Sequence, residues 1–246
     1  MARDIEDYTA QYQRLPFEPL QAAYRRRRVL AEIARHRPRR LLEIGCGHLP
    51  LFTDLPDMAC TVIEPAPMFA SNARELAACR TDVRVIQAYA ESCDFPPAEP
   101  TFDMVVLGCV LHEVDDPQAL LAAARRFCVA DTVLHVNVPN AHSLHRLLAV
   151  AMGLIPAADV MSDTQRTMQQ RGIYDMSSLS EELACAGFAV LEHGSLFVKP
   201  FTHGQMQELV DLGFLTPALL EGFDRLVEQL PDLGSEIWAN ARIQHV

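Results

Sequence analysis

Gly45 and Gly47 follow a short apolar run, Leu41-Leu42-Glu43-Ile44, and the acidic Glu43 stands just before them. Two positions without Cβ allow positive φ and let a ligand approach the backbone more closely than any side chain would permit. At the carboxyl end of a strand in a parallel sheet, such a turn binds ligands. Glu43 within the run is a carboxylate that needs partners if buried, which suits it to organising the turn or meeting a ligand's charged end. Glu64 ends a second apolar run, Cys60-Thr61-Val62-Ile63, nineteen residues after Gly45. In an α/β sheet that spacing sets a carboxylate beside the turn, able to accept both hydroxyls of a ribose; the plainer reading is a helix-capping acid before Pro65. A dinucleotide site would want a third glycine where Pro50 stands, so the pattern suits a cofactor without phosphates.

A second stretch with chemistry runs from Phe102 through Asp103-Met104-Val105-Val106-Leu107-Gly108-Cys109-Val110-Leu111-His112-Glu113 to Asp116-Pro117. Glu43-x-Gly45-x-Gly47 resembles motif I of the class I S-adenosylmethionine-dependent methyltransferases, and the Phe102–Pro117 stretch resembles their motif IV. The resemblance implies S-adenosylmethionine as cofactor, with Glu43, Gly45, Cys46 and Gly47 at the turn and Glu64 on the ribose. It implies an adenine contact after the third strand. The family often has aspartate where Tyr89 stands, so Ala90 and Glu91 take that place, with Asp94 competing. Leu107, Gly108 and Cys109 would lie against the methionine half. His112 would project near the methyl donor, where a neutral imidazole can take a proton from an acceptor hydroxyl or amine; the plainer role is to shape the pocket. His142, His145 and Arg146, after the fifth strand, and Tyr8 and Tyr12 near the start would stand on the acceptor side. The duller reading of the first three is a capped helix with surface histidines. No metal site is expected, since His142 and His145 are three residues apart, not the four of a helical metal pair.

The activity so implied is methyl transfer to an oxygen or nitrogen of a small-molecule acceptor, a biosynthetic intermediate. The absence of Asn-Pro-Pro-Tyr and Asp-Pro-Pro-Tyr counts against DNA or protein-amide methylation. A nicotinamide-dependent oxidoreductase, or a non-catalytic homologue that binds the cofactor, are the alternatives. Binding of NAD without S-adenosylmethionine would favour the first, and cofactor binding without turnover the second.

These residues must be carried by an α/β framework. Apolar runs at 40–44, 60–64, 83–87, 102–108, 131–138, 188–198 and 237–243 alternate with helical patterns. This predicts a doubly wound, mostly parallel seven-stranded sheet with helices on both faces. Residues 1–39 are read as an N-terminal arm and helix, with 1–16 a lid over the site or a frayed arm and 17–37 a helix packed on the sheet, and 40–246 as the methyltransferase domain. Within it, 139–175 and 200–230 are acceptor-side elements, the latter a helical insertion before the last strand. Pro139-Asn140 is read as opening a helix to about Leu154, and Ser178-Leu179-Ser180-Glu181 as a capping box.

Among 246 residues, half are apolar and the net charge is −11. An acidic chain disfavours a nucleic-acid partner, whose phosphates want basic surface. The run Arg25-Arg26-Arg27-Arg28 is read as a solvated helix face. Seven cysteines without a C-x-x-C pair read as reduced, mostly buried residues of a cytoplasmic protein. The polar opening Met1–Asp7 reads as no signal peptide, and no run reaches membrane-span length. The chain could act alone or as a homodimer.

Overall fold

Strands β1 (Arg40–Ile44), β2 (Ala59–Ile63), β3 (Val83–Ile86), β4 (Met104–Gly108), β5 (Val133–Pro139), β6 (Phe188–Leu196) and β7 (Glu236–Ile243) form one sheet in the order β3-β2-β1-β4-β5-β7-β6. The computed structural model describes residues 5–93 and 101–244, apart from the side chains of Glu6 and Tyr8. β7 alone runs against its neighbours β5 and β6; the pairs from β3 through β5 are parallel. The central strands are covered on both faces, which is why they read as near-continuous apolar runs. The strand order reverses between β1 and β4, and the crevice outside their carboxyl ends is where such sheets bind ligands.

Helices α1 (Ile5–Tyr12), α2 (Glu18–His36), α3 (Pro67–Leu76), α4 (Pro117–Arg126), α5 (Leu144–Ala151), α6 (Asp163–Thr167), α7 (Met176–Cys185), α8 (His203–Asp211) and α9 (Pro217–Arg225) cover the sheet. Because alternate strand residues face opposite sides, Leu41, Met104 and Val106 pack with Val29 and Ile33 of α2, while Leu42, Val105 and Leu107 pack with Leu120 of α4 and Leu183 of α7. A third cluster, with Phe17, Phe197, Met206, Leu220 and Trp238, ties α8 and α9 to the start of α2. Among the described residues, no helix is long and apolar enough to cross a membrane.

Three sequence expectations are corrected. Pro139 ends β5, and Asn140 pairs with Tyr174 as an isolated bridge while its side chain donates to the carbonyls of Asp232 and Gly234. Those long-range bonds hold the chain extended, so the helix begins only at Leu144, and His142 lies before it. The capping box belongs to Asp175, whose side chain accepts from the amide of Ser178, so Ser178 is the third helical residue and not the cap. The arginine run is not a solvated face. Arg27 does lie at the surface, but the half-buried Arg25 turns inward to Glu18 and Glu236, and Arg26 reaches Asp54 and the carbonyls of Leu49 and Pro50.

Candidate active site

The turn after β1 is built from backbone. Gly45 and Gly47 have φ of 78° and 56°, values that favour glycine. A Cβ on Gly45 would also stand 2.5 Å from Val110 Cγ2, whereas one on Gly47 would meet nothing within 4 Å. Gly45 is therefore required by packing, and Gly47 presents open space. The carboxylate of Glu64 holds the turn: Oε2 accepts the amides of Cys46 (2.9 Å) and Gly47 (3.2 Å), and Oε1 accepts that of Ala66 (2.8 Å). Burial raises the Glu64 carboxyl while these amides pull it back. Glu43 is buried one strand over, and its Oε2 accepts the amide of Leu51 at 2.8 Å. Burial lifts its carboxyl to about 8 against that one bond, so at neutral pH it carries little charge.

The turn opens into a cavity of about 1490 Å³. That exceeds the roughly 300–1,000 Å³ usual for one small ligand, leaving room for two side by side. Glu43, Gly45, Cys46, Gly47, Glu64, Ala90, Glu91, Gly108 and Cys109 line it, as do Tyr12, His112, His145 and Arg146. Leu107 and His142 lie off its wall. Leu107 is wholly buried in the core of the sheet, and the exposed His142 sits 3.8 Å from Asp175. The side chain of Tyr8 and all of Asp94 fall outside the described residues. Cys109, at the end of β4, has φ of 56° without being glycine, a conformation that costs of order 1–3 kcal/mol and gathers at functional sites.

The side groups have particular neighbours. Tyr12 stacks against His48 (6.1 Å between ring centroids), and its hydroxyl donates to Glu18 at 3.2 Å, so α1 lies against the glycine turn. His112 is buried, its backbone carbonyl accepts the amides of Arg171 and Gly172, and its Nε2 stands 3.8 Å from Glu113. Arg146 donates to the carbonyls of Ala158 and Val160 and to Gln165. It braces the 158–165 segment that also lines the cavity. Burial pushes the His145 imidazole well below its ordinary value, with Lys199 and His203 adding to the effect.

A largely buried polar network stands on the same wall, and no motif in the sequence marks it. Arg25 grips Glu236 with two hydrogen bonds (2.7 and 2.8 Å) and also reaches Glu18 at 3.1 Å. Gln21 and Asn137 donate to Glu236 at 3.0 and 2.6 Å. His203 Nε2 stands 3.5 Å from Glu18, and Lys199 Nζ 2.8 Å from His203 Nδ1. Burial pushes Glu18 up, but Arg25 and His203 overcome it and hold the carboxyl at about 2. These residues come from α2, β5, β7, α8 and the turn after β6, so local spacing could not assemble them. Composition did carry a trace: Lys199 is the chain's single lysine beside twenty arginines.

Residues 42–135 match the family model described as a methyltransferase domain. Among curated proteins no relative matches. Solved structures with this fold include the 1,6-didemethyltoxoflavin-N1-methyltransferase of Burkholderia thailandensis, with 1,6-didemethyltoxoflavin and S-adenosylhomocysteine bound. It is 14% identical with a TM-score of 0.61, over 98% of this chain and 87% of that one. A possible histamine N-methyltransferase of Thermotoga maritima is 19% identical with a TM-score of 0.55, over 83% and 82% of the two chains. The [4+2]-cyclase SpnF is 20% identical with a TM-score of 0.55, over 84% and 76%. At these identities the likeness is one of fold.

Proposed function

We propose that this chain, which carries a class I S-adenosylmethionine-dependent methyltransferase domain, moves a methyl group from S-adenosylmethionine to an oxygen or nitrogen of a small-molecule acceptor. The observation that carries this reading is the cradle at Gly47. Its missing Cβ faces open cavity, and its amide is fixed by an acid from the next strand. The 1490 Å³ cavity has room for an acceptor beside the cofactor. The 1,6-didemethyltoxoflavin bound in the Burkholderia thailandensis structure supports a small-molecule acceptor.

When bound, S-adenosylmethionine supplies an electrophilic methyl group on a sulfonium. The residues of the chain then hold and align. The Gly45–Gly47 backbone gives close approach to the cofactor. Glu64 already accepts three amides, so with about four lone-pair sites on a carboxylate it has about one left for a ribose hydroxyl. Ala90 and Glu91 take the adenine side, with Gly108 and Cys109 beside the methionine half. Leu107 contributes backbone only. A neutral Glu43 next to the turn opposes the fading sulfonium charge less than a carboxylate would. On the acceptor side stand α1 with Tyr12, the 139–175 segment with His145 and Arg146, and α8 within the 200–230 segment. His112 also lines that side, where it shapes the pocket or serves as base. Most of the rate comes from orientation.

Calorimetry with S-adenosylhomocysteine and with NAD tests the reading, together with transfer of tritiated methyl to small acceptors. Tight binding of the first and none of the second is expected. NAD binding alone would sink it, and S-adenosylhomocysteine binding with no turnover on any acceptor would favour a cofactor-binding homologue.

A further inference from the structure

Lys199 is 1% exposed, lines the cavity, and is the only lysine of the chain. Twenty arginines serve wherever else a cation is needed, and Arg25 already pairs with both Glu18 and Glu236. A lysine placed only to neutralise those carboxylates would sit on them. Instead its Nζ has one hydrogen-bond partner among the described residues, the His203 imidazole at 2.8 Å. Guanidinium cannot give up its proton in a protein, whereas an amine can and shifts readily when buried.

The neighbours set which nitrogen holds which proton. Glu18 stays a carboxylate, so the His203 tautomer that suits it carries its hydrogen on Nε2, 3.5 Å away. That leaves His203 Nδ1 as an acceptor. A neutral Lys199 amine then donates one N–H to Nδ1 and keeps its lone pair for the cavity. Burial brings the amine down to about 7, against the pull of Glu18 and Glu236 and with Arg25 adding to the fall. The charged and titratable groups facing it are Glu18 and Arg25 from α2, His203 from α8, His145 from α5 and Glu236 from β7.

We propose that the Lys199 amine, oriented by His203 and Glu18, accepts the proton of an acidic hydroxyl in the acceptor, a phenol, an enol or a hydroxylated heteroaromatic, so that the oxygen is the atom methylated. The inference rests on the methyl-transfer reading above. The O–H bond breaks and its proton joins the Nζ lone pair. The oxygen's electron pair forms the bond to the methyl carbon as the carbon–sulfur bond breaks. The electron pair of the broken carbon–sulfur bond stays on sulfur, leaving S-adenosylhomocysteine, a methyl ether and an ammonium at Lys199. Glu18 and Glu236 favour that ammonium. Lys199 is the catalytic residue of this step, and His203 and Glu18 position it.

The test uses the full chain with tritiated S-adenosylmethionine and three acceptor sets: nitrophenols and hydroxyquinolines, cyclic enols, and aromatic amines. The wild type is expected to methylate hydroxyl acceptors, with kcat/KM rising to a plateau through a midpoint near pH 7. Lys199→Met should lower kcat/KM by about 100-fold or more, the usual range for a lost general base, while S-adenosylhomocysteine affinity stays within about twofold. Lys199→Arg, which restores charge without basicity, should not rescue it. His203→Asn should move the midpoint and cost less. Protein labelled at lysine Cε shows a single resonance for Lys199, expected to titrate near pH 7. Transfer to amines alone, full turnover in Lys199→Met, rescue by arginine, or a resonance that titrates in the ordinary lysine range would each overturn the assignment. So would a loss confined to His112→Ala. If S-adenosylhomocysteine binds and none of the hydroxyl acceptors turns over, the hydroxyl assignment falls while the cofactor reading stands. If S-adenosylhomocysteine does not bind, the methyl-transfer reading itself falls.

Discussion

The two halves of the cavity are built from opposite materials. On the proposed cofactor side the polar partners are backbone amides, supplied by a turn with no side chains in the way and held by Glu64, eighteen residues from Cys46. On the proposed acceptor side the partners are charged side chains, clustered together and drawn from positions as far apart as Arg25 and Glu236, 211 residues. The first half suits a ligand that does not vary, since backbone geometry changes little with sequence. The second carries side chains, which is where a fold that hosts many activities places its specificity.

Breaking the charged half should have the largest effect. Arg25→Met leaves Glu18 and Glu236 buried without their main cation and should cost about 3–5 kcal/mol of stability, read as a fall in the denaturant midpoint. The same change at the surface residue Arg27 should cost under about 1 kcal/mol. If Arg25→Met were neutral, the acceptor side would not be an ion network in any energetic sense. On the backbone half, Gly47→Val should weaken S-adenosylhomocysteine binding by on the order of 100-fold, about 2.7 kcal/mol, by filling the open face without disturbing Val110. Glu64→Ala should follow with a loss of about tenfold in affinity, since three amides lose an acceptor worth at most about 1.5–3 kcal/mol each and water can replace part of it. Unchanged affinity would mean that the turn holds itself.

Glu43→Gln gives the effect that depends most on pH. The folded carboxyl sits at about 8, above its ordinary 4.5, so the folded state holds the proton more tightly than the unfolded chain. That contribution is full below the ordinary value and is lost as pH rises through about 8. Glutamine still accepts from Leu51 and has no such proton to lose. Wild type should therefore lose stability relative to Glu43→Gln between about pH 4.5 and 8 and level off above, followed by thermal melts across that range. Parallel curves would mean that Glu43 is charged in the fold.

The same contrast explains what could be read from sequence. The sheet was legible because each central strand is a short apolar run between turn signals, and Gly45, Gly47 and Glu64 lie within one strand-helix-strand unit. Where distant bonds overrule local preference, sequence misled. Asn140 looks like a helix start but is held extended by the carbonyls of Asp232 and Gly234. The four consecutive arginines look solvated because Glu236, the main partner of Arg25, lies 211 residues away. The charged network stays hidden for the same reason, apart from the oddity of a single lysine, and Leu107, within the Phe102–Pro117 motif and so expected at the cofactor, points its side chain into the core.

Arg25 and Arg26 are neighbours on one helix, yet the first grips the acceptor wall and the second the loop that follows the glycine turn. Consecutive residues on one helix cannot shift independently, so α2 ties the charged wall and the turn loop to a single element. A change that tilts or displaces α2 should therefore disturb both sides of the cavity at once, whereas Arg26→Met should loosen the turn loop and leave the Glu236 contact in place.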